Sequence, residues 1–165
     1  SHAGFMLMTL LTIATSAGVL LYYAAAYALA GIAAFSVILY VCKNQDDEDI
    51  NNFNGLGKTN PLLAAILTAS LLSMAGIPIF SGFFAKLFLF NQTIQAGHIA
   101  LIIVAVVNSI ISVGYYFKLI LAMYSKDANQ ERNGKPFLIY AVAVISIALN
   151  IALGLFPSLV LDLLN

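Results

Sequence analysis

One ammonium group interrupts an otherwise apolar stretch. In "SMAGIPIFSGFFAKLFLF", residues 73–90, Lys86 has Phe83, Phe84, Leu87, Phe88, Leu89 and Phe90 around it. An ionisable side chain inside a membrane span costs about 2.5–3.5 kcal/mol on insertion scales, which makes it a functional candidate by default. Lys86 follows the break Gly76-Ile77-Pro78 by about six helical residues, roughly 9 Å along the axis. Helical side chains lean toward the N-terminus, so the amine is expected over the turn of Gly82 and Phe83, with Gly82 leaving it room. Carbonyls freed at the break would solvate a cation there or hold water. An amine in that position could gain and lose a proton during a working cycle. The competing reading is snorkelling, in which the side chain threads its charge out to the interface.

Other polar groups inside apolar runs carry two readings each. Asn108, Ser109 and Ser112 recur at spacings that share a helix face. They could line a hydrated path, or act as hydrogen-bond glue between helices. His2 could relay protons or simply bond to a neighbour. Lys118, after Tyr115 and Tyr116 near a helix end, reads as an interfacial snorkelling residue. His98 reads as interfacial, and Tyr22, Tyr23 and Tyr27 as packing residues with satisfied hydroxyls. The run Asp46, Asp47, Glu48, Asp49 lacks the spacing of a cation site and reads as solvated. Cys42 stands alone, so neither a disulfide framework nor a Cys/His metal spacing exists. Nucleophilic triads, phosphate loops and dinucleotide fingerprints are also missing from the sequence.

The elements that must hold these residues follow from composition. Of 165 residues, 62% are hydrophobic and 8% charged, against about 25% charged in soluble domains. With a mean hydropathy of +0.97, so few charges would not cover a soluble surface. Formal net charge is zero, which gives nucleic acid nothing to bind. A bilayer core needs roughly 20 apolar residues in a helix, and only helix satisfies the backbone of such runs in lipid. The expectation is an all-α polytopic membrane bundle, a single domain over 1–165, in contact with lipid. About five full or nearly full segments are predicted: 19–42, 61–75, 80–95, 98–124 and 137–156.

A shorter run, 3–14, reads as the tail of a helix, and "SHAGFMLMTL" lacks the features of a signal peptide. The chain is therefore expected to be part of something longer. Pro61 suits a first helical turn, capped by Thr59 or Asn60. Residues 43–60 and 125–136 are predicted as extramembrane loops. Taking the Gly-Ile-Pro break as a chain reversal puts these loops on opposite faces. Lys126, Arg132 and Lys135, with Lys118 nearby, would then place 125–136 in the cytoplasm and the acidic loop outside.

Four stretches carry a family resemblance: "SHAGFML", "YYAAAYALAGIAAFSVI", "GLGKTNPLLAAILTASLLSMAGIPIFSGFFAKLFLF" and "NSIISVGYYFKLILAMY". In that order, across essentially the whole chain, they resemble the subunit N family of NADH-quinone oxidoreductases, antiporter-like membrane subunits of respiratory complex I. The resemblance implies inverted helix repeats, proton pumping without a redox centre, other complex I membrane subunits as partners, and a bacterial inner (plasma) membrane location. NADH and quinone would act elsewhere in the complex, and this chain would hold no cofactor. The lysine of the family's "AGIP…GF…K" motif matches Lys86, implying a role in proton translocation. Ser1 and His2 match the family's "S…HAGY" stretch, with Phe5 in place of the usual tyrosine. The family's other pathway lysines and its buried glutamate would lie upstream of this chain. A subunit of a multisubunit sodium/proton antiporter and a structural membrane scaffold are the alternatives. Quinone binding by this chain has no support beyond apolar surface.

Overall fold

In a computed structural model of the protein, residues 2–9, 17–43, 45, 47, 49–125, 137–158 and 162 are described. The described secondary structure is helical: α1 (His2–Met8), α2 (Ala17–Cys42), α3 (Leu56–Thr59), α4 (Pro61–Ala75), α5 (Ser81–Gln95), α6 (Ile99–Met123) and α7 (Phe137–Leu155). A 3₁₀ turn, Ile50–Phe53, precedes α3. Three of the helices, α2, α6 and α7, are long and apolar enough to cross a bilayer. The all-α membrane bundle read from composition is the architecture observed.

α2 is the spine of the bundle. Ala26, Ala30 and Ala33 are fully buried at helical spacing and present a flat seam. Small residues in such a seam let backbones approach closely, the main source of helix association in lipid. Against it lie α4, α5 and α7. α6 is the most exposed span, with Ile103, Val107, Ile110 and Ile111 facing outward, as apolar solvent requires.

α4 and α5 hold 15 residues each, about 22 Å, and neither crosses a 30 Å core alone. Together they trace one interrupted crossing antiparallel to α2. Asn60 at the start of α4 meets Tyr40, Met74 near its end meets Tyr27, and Phe88 of α5 meets Tyr22. The break is therefore not a reversal. α6 then returns to the end where α4 began: Gly55 donates its N–H to the Ala122 carbonyl at 3.3 Å, and Tyr124 pairs with Thr68 at 3.2 Å. The segment after Tyr124 thus leaves from the same end as residues 50–60. The expected reversal at the break does not occur, because two half-length helices make one crossing, and Ser125 stands at the same end as Gly55. Lys126, Arg132, Lys135 and the rest of 126–136 lie outside the described residues, as do 44, 46 and 48, Ser1, and the ends of the 3–14 run and of the tail.

Residues 49–60, expected to be a solvated loop, instead form a capped 3₁₀ turn and a short helix. Asp49 accepts the Asn51 N–H at 2.8 Å, and Phe53 and Leu56 are buried beneath the turn. Pro61 opens α4 as expected, with Asn60 at the cap position but no side-chain cap bond. Its amide instead accepts from the Tyr140 hydroxyl at 2.8 Å.

Candidate functional site: a lysine on a broken helix

The end of α4 accounts for the position of Lys86. A helix leaves its last four carbonyls without intrahelical partners. Gly76, at φ 89°, adopts the left-handed conformation that ends helices, and only glycine does so without a steric penalty. Its N–H reaches the Ser73 carbonyl at 3.0 Å, and the Ile77 N–H reaches Leu72 at 3.0 Å. Those two bonds form a Schellman cap and satisfy half of the orphaned set. The Met74 and Ala75 carbonyls remain. Lys86 Nζ donates to both, at 3.1 Å each. Pro78 then lacks a donor and holds the chain out of helix until Ser81.

Lys86 is 7% exposed, and the ring of Phe5 lies 5.5 Å from Nζ, within cation–π range. The carbonyl end of a half-helix carries partial negative charge and attracts a cation. An ammonium has three N–H donors, and a neutral amine has two. Two carbonyl bonds are therefore available in either protonation state. The side chain turns inward to the break rather than out to an interface. Glycine roles differ from expectation in one respect. A Cβ on Gly82 would collide with the Ser73 carbonyl, so Gly82 serves close contact between the two half-helices. Gly76 is the residue beside the lysine, where a Cβ would stand 3.2 Å from Lys86 Cδ.

A chain of aromatic and imidazole groups leads away from this amine. Tyr27 makes a longer contact, 3.5 Å, to the same Met74 carbonyl. Its ring packs 4.2 Å from His2, whose Nε2 lies 3.2 Å from the Tyr116 hydroxyl and whose Nδ1 lies 3.5 Å from that of Tyr23. The imidazole tautomer sets which partner donates. Groups from α5, α4, α2, α1 and α6 thus meet in one region. Tyr23, Tyr27 and Tyr116 read from sequence as packing or interfacial residues. Nothing local in the sequence marks them otherwise, since their meeting with His2 is tertiary.

On the Asn108, Ser109 and Ser112 face, the bonds of Ser112 stay within α6. Ser112 donates back to the Asn108 carbonyl and accepts from Tyr115, both at 2.9 Å, within its own helix. Ser109 Oγ is buried without a partner among the described residues. Asn108 lines a cavity of about 210 Å³ with Gly4, Phe5 and Ala105. Lys118 and His98 are exposed, in keeping with interfacial positions.

A second buried polar cluster involves Asn150 of α7, fully buried. It accepts from Ser73 Oγ at 2.9 Å and donates to the Ala26 carbonyl at 2.8 Å. An amide in the middle of the 137–156 apolar run is itself a sequence signal, one that the spacing of residues 108–112 overshadowed.

The fold and sequence both have close counterparts. The family described as "NADH:quinone oxidoreductase/Mrp antiporter, TM" matches residues 1–112. Over all 165 residues the chain is 87% identical to NADH-quinone oxidoreductase subunit N of Flavobacterium johnsoniae, covering 36% of that protein. It is 60% identical to the subunit N of Flavobacterium psychrophilum, over 99% of this chain and 36% of that one. Respiratory complex I from Thermus thermophilus, solved with bound aureothin, contains a chain of 33% identity and TM-score 0.86, covering 98% of this chain and 37% of that one. The chain therefore spans little more than a third of the length of the relatives it matches. It is an integral membrane protein of the bacterial inner membrane and belongs to the NADH:quinone oxidoreductase/Mrp antiporter transmembrane family.

Proposed function

We propose that this chain is part of a proton-translocating membrane subunit of NADH:quinone oxidoreductase, with Lys86 as a proton-exchanging group on its pathway. The other membrane subunits of that complex are its partners. NADH and quinone act elsewhere, and the chain contributes no redox centre and no catalytic residue of its own. The observation that carries the reading is the buried amine held by two carbonyls at the break in α4–α5. Moving one charge through 100 mV costs about 2.3 kcal/mol, so a fixed charge would stall a pump and a reversible one serves it. The Tyr27–His2–Tyr116 chain supports a lateral continuation from that amine, and Asn108, on the cavity beside Phe5, supports a hydrated branch. Ser109 and Ser112 belong to that branch only through their shared helix.

The antiporter alternative has support from the family description, which names an Mrp antiporter beside the oxidoreductase. The whole-chain similarity to subunit N favours the oxidoreductase. A purely structural role is the third alternative, because Lys86 also caps α4. Lys86→Gln and Lys86→Met in the complete complex separate cap from carrier. Gln keeps two N–H donors for carbonyls but exchanges no proton, whereas Met abandons two buried acceptors, at about 1–3 kcal/mol each. The expected result is a Lys86→Gln complex that assembles normally and has lost most proton pumping and coupled quinone reductase activity. Full pumping by assembled Lys86→Gln would reduce the lysine to a cap.

A further inference from the structure

We infer that Asn150 is a positioning residue for the Lys86 site, holding both halves of the broken helix through Ser73. The inference rests on the proton-site reading above. Ser73 sits three residues before Gly76 and joins α4 to α7 by donating to Asn150 Oδ1 at 2.9 Å. The same hydroxyl accepts the Gly82 N–H, from the first turn of α5, at 3.4 Å. Asn150 Nδ2 then anchors the pair to α2 by donating to the Ala26 carbonyl at 2.8 Å. One fully buried amide thereby connects α4, α5, α2 and α7 around the carbonyls of Met74 and Ala75.

One turn further along α7, Gly154 receives the break itself. A Cβ there would collide with the Ile79 carbonyl and press on the backbone of Phe80 and Ser81. Residues four apart share a helix face, so Asn150 and Gly154 form one seat under residues 73–82. That seat lies beyond residues 1–112, where the family match ends. Ile79 gives a reason for a seat: its φ of 96° is a genuine outlier for a β-branched residue and persists only where surroundings over-determine it. Without Asn150, the Ser73 hydroxyl loses its acceptor and the Ala26 carbonyl its second, side-chain donor. The separation between the two half-helices, and so the reach of Nζ to its carbonyls, is then less fixed. The titratable groups around the amine are Tyr27 of α2, which shares the Met74 carbonyl, and His2 of α1, whose ring packs on Tyr27.

The test uses the complete subunit in its membrane complex and compares wild type with Asn150→Leu, Ser73→Ala and Lys86→Gln. Three quantities are read: assembled complex, proton pumping, and the pH profile of pumping across the neutral range. Asn150→Leu, which removes both amide bonds, is expected to assemble at wild-type amount and to pump about tenfold more slowly, with a displaced pH profile. If Asn150→Leu fails to assemble, Ser73→Ala, which cuts the same link with a smaller change, carries the test with the same displacement. A wild-type pH profile in whichever of the two assembles overturns the positioning role, even where the amount of complex falls. Lys86→Gln separates the failures. Defective Lys86→Gln with normal Asn150→Leu and Ser73→Ala sinks the positioning inference alone, whereas normal Lys86→Gln sinks the proton-site reading and this inference with it.

Discussion

Gly76→Ala probes the helix break with the smallest possible change, one methyl group. At φ 89° and ψ 38° the residue is left-handed, where an L side chain costs about 1–2 kcal/mol. The new Cβ would stand 3.2 Å from Lys86 Cδ and 3.5 Å from Nζ. The lysine must give by a few tenths of an ångström. Its two carbonyl bonds, at 3.1 Å, are already near the long end of good N–H···O geometry, so they have little slack to absorb that displacement. Where the whole conformational cost falls on the carbonyl-bound arrangement, pumping drops by about 5- to 30-fold. The assay is NADH-driven acidification of vesicles containing the reconstituted complex, with quinone reduction recorded in parallel and assembled subunit quantified on native gels. Gly31→Ala is the matched control: its Cβ would meet only Met74 Cε, at an ordinary 3.9 Å. Wild-type pumping by a fully assembled Gly76→Ala complex would refute the reasoning, since neither the left-handed cap nor the lysine contact would then matter.

Two further expectations follow from the same packing. Gly154→Ala drives a methyl into the Ile79 carbonyl, so a lowered thermal midpoint of the purified complex should accompany reduced pumping; an unchanged midpoint would mean that α7 does not seat the break. Tyr140→Phe removes the hydroxyl that donates to Asn60 at the far end of the bundle, and should cost about 1 kcal/mol of stability while pumping per assembled complex stays unchanged. A pumping defect in Tyr140→Phe would show that the end of the bundle near Tyr40 and Asn60 is coupled to the lysine site.

The membrane class, the boundaries of α2 and α4 to α7 and the candidate lysine were legible in the chain itself, whereas α3 lay inside a stretch read as loop. Hydrophobic runs long enough to cross a bilayer have one stable backbone solution, so α2, α6 and α7 follow from composition. Proline and glycine act locally, and Pro61 and Gly76-Ile77-Pro78 therefore mark the limits of α4 to the residue. Lys86 stands out because a charge among phenylalanines is costly wherever the chain goes. Its expected approach to carbonyls freed at the break also needs only one helix end and one side-chain length.

What tertiary structure alone decided is direction and company. Whether a break reverses a chain or merely interrupts it depends on what the next half-helix packs against. α5 continues along α2 past Tyr22, and this places the start of the 125–136 segment beside residues 50–60. Tyr27, Tyr116 and His2 come together from positions up to 114 residues apart, and Ser73, Asn150 and Ala26 from up to 124. Each of these groups, alone in an apolar run, looks like a packing residue or a bond to the next helix. Hydrogen-bond partners at such separations are chosen by helix packing, and no local periodicity encodes it.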